Sequence, residues 1–269
     1  MDALMKLRYE GCLSTPALWR GEAAFPYRQI TLKEGYNHKG ATAVFKSRRL
    51  GKLVEELIFY QLKKQDSISW ICDNLQIQDG KRTIGEIDAL FYRNDQAVHL
   101  EVAYKFYLYD TLEQYDQPLG HWIGPNRNDR LDYKLKKLHD RQFSLLFNDL
   151  TKPYLERHGL KADQIIQKVC FKAQLFVPYG HTSFAVSPIN SKCVVGYYIS
   201  HRELGILSTC KFYLPQKIDW LIAPYPGVSW IDHSRMIEEV QPLINNGRSP
   251  LVWVKDKDDV LTKCFIVYW

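Results

Sequence analysis

Apolar residues recur at two different spacings along this chain, and the alternation between them predicts its elements. In "SRRLGKLVEELIFYQLKK" (47–64), Leu50, Leu53, Val54, Leu57 and Ile58 fall three and four apart. That is the spacing of an amphipathic helix, with Ser47 as a candidate N-cap. "ISWICDNLQI" (68–77) reads as a strand. Residues 84–108 read as a β-hairpin turning at Asn94-Asp95, two residues that tolerate positive φ. The Gly/Pro/Asn-rich loop "QPLGHWIGPNRND" leads into a long helix predicted from about Asp129 to Asn148. "KVCFKAQLFVPY" (168–179) is a further strand. Beyond it, "CVVGYYIS", "LVWVKD" and "KCFIVYW" suggest strands and "SRMIEEVQPLIN" a helix. Helix, three strands, helix, strand and an elaborated C-terminal region predict an α/β protein, a mixed sheet flanked by helices. No internal repeat or Gly/Ser linker divides the chain, so a single domain over 1–269 is expected.

The hairpin carries the chemistry. A two-residue turn at Asn94-Asp95 sets Arg93 against Gln96, Tyr92 against Ala97 and Asp88 against Glu101. Period-two alternation then puts Ile87, Ala89, Phe91, Val98, Leu100, Val102 and Tyr104 on a core face. Glu86, Asp88, His99, Glu101 and Lys105 fall on the other face, with Ala103 between the last two. A solvated sheet face accounts for single charges. It accounts poorly for Asp88 opposite Glu101, because like charges facing across a strand pair repel by on the order of 3 kcal/mol at ~5 Å. A one-residue slip relieves the repulsion only by turning the apolar face to solvent. A bound cation resolves it, and hard carboxylate oxygens suit Mg²⁺ or Mn²⁺.

Composition adds little beyond excluding some classes. Apolar residues are 46% and charged residues 25% of the chain, the balance of a soluble globular protein. No apolar run reaches the length of a membrane span, so no membrane partner is expected. The N-terminus is a poor signal peptide, and the six scattered cysteines contain no C-x-x-C pair, so a reduced, cytoplasmic protein is the expectation. The net charge of +6 permits a polyanionic partner without requiring one.

An acid followed, one strand later, by an acid and a lysine resembles the PD-(D/E)XK, or restriction-endonuclease-like, superfamily. "RLGKLVEEL", "GEIDALF", "HLEVAYKFYL" and "GPNRNDRLDYKLKKLHDRQ" together resemble one uncharacterised bacterial family of unknown function within it. The resemblance implies a restriction-endonuclease-like core over 41–179 with a C-terminal elaboration over 180–269. It implies catalytic roles for Asp88, Glu101, Lys105 and Glu55, with Asp88, Glu101 and Glu55 holding Mg²⁺ (or Mn²⁺). Gly51, one turn before Glu55, would let the first helix approach the sheet closely. Two positions depart from the pattern. Ile87 stands where the pattern has proline, and Lys105 lies four residues after Glu101 rather than two, with Ala103 in the expected place.

The implied activity is metal-dependent hydrolysis of phosphodiester bonds in DNA or RNA. The rival reading on the same fold is a catalytically inactive nucleic-acid-binding or structural protein, and a glycoside hydrolase is a remote third. On the predicted long helix, Arg130, Lys134, Lys137 and Arg141 fall along one ridge. They form, with Arg127 of the preceding loop, the candidate nucleic-acid contacts. A second basic cluster, Lys46, Arg48, Arg49 and Lys52, opens the first core helix.

Overall fold

The computed structural model describes residues 1–21, 25–32, 45–181 and 187–269. Five α-helices and nine strands form among them. The helices are α1 (Ala3–Ser14), α2 (Leu50–Lys63), α3 (Leu131–Lys137), α4 (Lys152–Arg157) and α5 (His233–Asn245). The strands are β1 (Ile68–Asp79), β2 (Arg82–Arg93), β3 (Gln96–Tyr109), β4 (Trp122–Ile123), β5 (Ile166–Pro178), β6 (Val194–Ser200), β7 (Lys211–Tyr213), β8 (Leu251–Lys255) and β9 (Leu261–Val267). All nine strands belong to one mixed sheet in the order β1-β2-β3-β5-β6-β9-β8-β7, with β4 on β3. β3, β5, β6 and β9 run parallel to one another, while β1, β2, β7 and β8 pair antiparallel. The elements after residue 180 therefore extend the sheet that the first half begins.

Helices cover both faces of the sheet. On one face α2 buries Leu53, Val54, Leu57 and Ile58 against Ala89, Phe91, Leu100 and Val102. On the other, Leu131 and Leu135 of α3 pack with Leu138 and Phe143, which follow it, against Ala103, Tyr107 and Phe171. The second face of the hairpin is thus a buried layer, and His99 and Glu101 are each fully enclosed in it. Periodicity cannot foresee this, because the covering helix comes from a segment some thirty residues downstream.

Several elements differ in detail from the sequence expectation. Ser47 does not cap α2. Arg49 stands at that position without a side-chain cap bond, and the Ser47 hydroxyl donates to Glu56 at 2.6 Å. Gly51 does not mediate a close approach, since a Cβ there would meet nothing within 4 Å. The long helix breaks into α3, a π-helical turn over Leu138–Phe143 and a 3₁₀ turn over Ser144–Phe147. A π turn widens the helix by one residue, so side chains after it leave the ridge of those before it. α1 has no apolar stripe of helical period and goes unseen in the sequence. It docks through Tyr9, Gly11 and Cys12. Gly11 is required there, because a Cβ would lie 2.2 Å from the Leu221 carbonyl oxygen.

Candidate metal centre

The hairpin forms as its turn chemistry predicts. Asn94 and Asp95 sit at φ +47° and +65°, and the register runs from Arg93↔Gln96 to Ala89↔Leu100. At Asp88 the two strands part. Continued pairing would direct the Val102 N–H to Ile87. Instead the Asp88 carboxylate accepts that N–H at 2.8 Å, and the Asp88 N–H lies near the Glu101 carboxylate. The exchange turns Ile87 away from its predicted face. It packs with Ile77, Leu90 and Leu145 rather than with Ala89 and Phe91. The gap between the strands leaves Asp88 almost enclosed, at 7% exposed.

Around Asp88 three carboxylates converge. Ligand oxygens of Glu55, Glu86 and Asp88 all lie within 4.8 Å of one another. Glu55 comes from the flank of α2, and the other two from β2. Of the acids expected to hold a metal, the structure brings Asp88 and Glu55 into this group, with Glu86 beside them. Burial and the neighbouring Glu101 push the Asp88 carboxyl up to about 7. Burial chiefly, with the charge of Asp88 adding to it, raises Glu55 as well. One ammonium offsets these charges. Lys52 Nζ lies 2.7 Å from Glu55, 2.7 Å from Glu86 and 3.0 Å from the Asn74 side-chain oxygen. Sequence spacing gave Lys52 only as part of a basic cluster. Its i,i+3 relation to Glu55 was the signal for an ion pair.

Glu101 sits behind this group. One of its oxygens lies 2.9 Å from His99 Nε2, and the other accepts from the Gln142 amide. Burial holds His99 down at about 4, so its ring is neutral. The Gln167 amide faces His99 Nδ1, which leaves Nε2 to carry the proton toward Glu101. Burial pushes Glu101 up to about 8, against the pull of the Asp88 N–H, Lys134 and Gln142. Gln142 lies in the π turn and accepts from Lys134 Nζ at 2.8 Å. Lys134 thus reaches the acid site through Gln142. Burial lowers its pKa, as does the nearby Lys105, while Glu101 and Asp88 act to raise it.

The remaining sequence candidates lie elsewhere. Lys105 pairs with Asp129 at 2.6 Å. Arg127 pairs with the buried Asp110 at 2.7 Å and stacks over Trp269. Its own N–H bonds Gly124, closing the loop on itself. Arg130 stands before the first turn of α3, joined to Asp132 and stacked 3.8 Å over Tyr133. Lys137 and Arg141 are exposed on either side of the start of the π turn. The four basic residues expected on one ridge therefore divide, with Lys134 turned inward and the others outward.

Three carboxylates whose oxygens converge in this way could hold a hard divalent cation. The chain belongs to the family described as Domain of unknown function (DUF1853), whose model matches residues 9–259. No curated protein and no solved structure matches it.

Proposed function

We propose that this protein is a metal-dependent nuclease that hydrolyses phosphodiester bonds in DNA or RNA on a restriction-endonuclease-like core. The observation that carries the reading is the meeting of Glu55, Glu86 and Asp88 at the point where β2 and β3 part. Such a group is costly without a cation, and its oxygen-only donors fit Mg²⁺ or Mn²⁺. Asp88, Glu55 and Glu86 would hold the ion, which when bound activates water and offsets charge on a phosphate. Glu101 lies beside Asp88, and His99 and Gln142 fix Glu101 in place. Lys134, steadied by Gln142, supplies positive charge to the phosphate as negative charge develops on it. Lys52 balances the acids in the metal-free protein and would have to yield to a bound ion.

The test is cleavage of labelled single-stranded DNA, duplex DNA and RNA with Mg²⁺ or Mn²⁺. Wild type should cleave at least one substrate, and EDTA, Asp88→Ala or Glu55→Ala should abolish it. Cleavage that survives in Asp88→Ala with an intact fold would end this reading.

A further inference from the structure

Beside the acid group, on its Lys105 side, lies a cleft of about 600 Å³ that the reading above leaves unused. Its walls come from the start of α2, from Tyr104–Phe106 of β3, from the 124–129 loop and from a 3₁₀ turn at Lys217–Leu221. Four cations line it: Arg48, Arg49, Lys105 and Lys217. Its single carboxylate, Asp129, is matched by Lys105. Arg48, Arg49 and Lys217 have no carboxylate partner among the described residues, and all three are exposed. Three unmatched cations around one concavity repel one another, and an anionic ligand relieves that repulsion.

The other lining groups narrow the ligand class. Tyr104, Phe106 and Trp220 bring aromatic surface into a wall that phosphate alone would not need. Trp220 is held by edge contacts with Phe106 and Phe265, at 5.3 and 5.2 Å between centroids, and Lys217 lies over its ring at 5.6 Å. The turn that carries both is pinned from below. Asp219 pairs with Arg8 at 2.7 Å, and the Trp220 carbonyl accepts from the buried Lys263 at 2.6 Å. Cations beside fixed aromatic groups suit a strand whose bases are unstacked, since a duplex hides its base faces. The concavity is also of the size that encloses a small ligand or a nucleotide or two, not a double helix.

Position ties the cleft to the acid group. Gly51 lines the cleft and Glu55 lies one helical turn on, about 6 Å along α2. Lys105 lines it four residues beyond Glu101, about 13 Å along β3.

We propose that this cleft binds a single-stranded segment of nucleic acid, with backbone phosphates on Arg48, Arg49 and Lys217 and a base against Trp220. This rests on the nuclease reading and gives it a substrate class: a strand that is unpaired beside the bond to be cut.

Binding is measured in EDTA, where no cleavage occurs, by anisotropy of labelled single-stranded DNA, single-stranded RNA and a blunt duplex of the same length. Wild type should prefer a single strand to the duplex. The triple variant Arg48→Ala, Arg49→Ala, Lys217→Ala should bind that strand at least tenfold more weakly. Its salt slope should fall by about two units, at roughly 0.7 per phosphate contact. Gly51→Leu changes no charge and adds a side chain where a Cβ meets nothing, so it should fold normally and still block the strand. Unchanged affinity in both variants would overturn the proposal, as would a wild-type protein that binds the duplex as tightly as the single strand. Strand binding lost in the variants of a protein that cuts nothing would reject the nuclease and keep the cleft. Cleavage that needs Asp88 while binding ignores the variants would do the reverse.

Discussion

Asp88→Asn tests the electrostatics of the acid group directly. In the metal-free protein the Asp88 carboxyl lies at about 7, against an ordinary 3.8, because it is buried and faces Glu101. A raised carboxyl pKa means that the folded state holds a proton the unfolded chain has released. The stability linked to that proton is complete below about pH 4 and is lost as pH rises through about 7. Three units correspond to about 4 kcal/mol, an upper bound for a group coupled to Glu101. Asparagine keeps an oxygen for the Val102 N–H and carries no charge. Its amide hydrogens need partners of their own, which costs about 1–3 kcal/mol. Asp88→Asn should therefore be close to wild type in stability at pH 5 and more stable at pH 8 by roughly 1–3 kcal/mol. Urea denaturation of both proteins in EDTA at pH 5, 6, 7 and 8 measures the gap. A gap that does not widen with pH, or a wild type that is the more stable at pH 8, refutes the reasoning. Mn²⁺ adds an independent check. At ten times its dissociation constant it should stabilise wild type by about 1.4 kcal/mol and leave Asp88→Asn nearly unmoved.

Lys52→Met removes the ammonium between Glu55 and Glu86. In EDTA it should cost no more than about 1 kcal/mol, since Lys52 is nearly half exposed, and the rise in melting temperature on adding Mn²⁺ should exceed that of wild type. A smaller rise would mean that Lys52 and the ion do not share the site. Lys134→Met should lower cleavage on the order of 100-fold and Lys105→Met by less than tenfold, because Lys105 is committed to Asp129. Single-turnover rates at saturating substrate decide between them, and the reverse order would return the role to Lys105.

How much was legible in the sequence depends on how local each signal is. The hairpin was readable because its turn needs two residues that tolerate positive φ and its strands alternate with period two. Asn94-Asp95 and the apolar positions from Ala89 to Val102 meet those needs without help from the rest of the chain. The register ends at Ala89↔Leu100, so the expected pairing of Asp88 with Glu101 does not form, while α2 with Glu55 followed from helical spacing. Other features rest on contacts between segments far apart in sequence. The parting of the strands at Asp88 comes from side chains competing for backbone N–H groups, which swings Ile87 to the other face. Glu55 meets Glu86 and Asp88 only because α2 and β2 pack together, and Lys52 bridges Glu55 and Glu86 for the same reason. Lys134 reads as one cation of a surface ridge. A π turn that no propensity predicts sets Gln142 between it and Glu101. Local pattern therefore determined which residues are charged and on which element each lies. Only packing decided which charges meet, because electrostatic energy depends on distances that the chain sets when its elements come together.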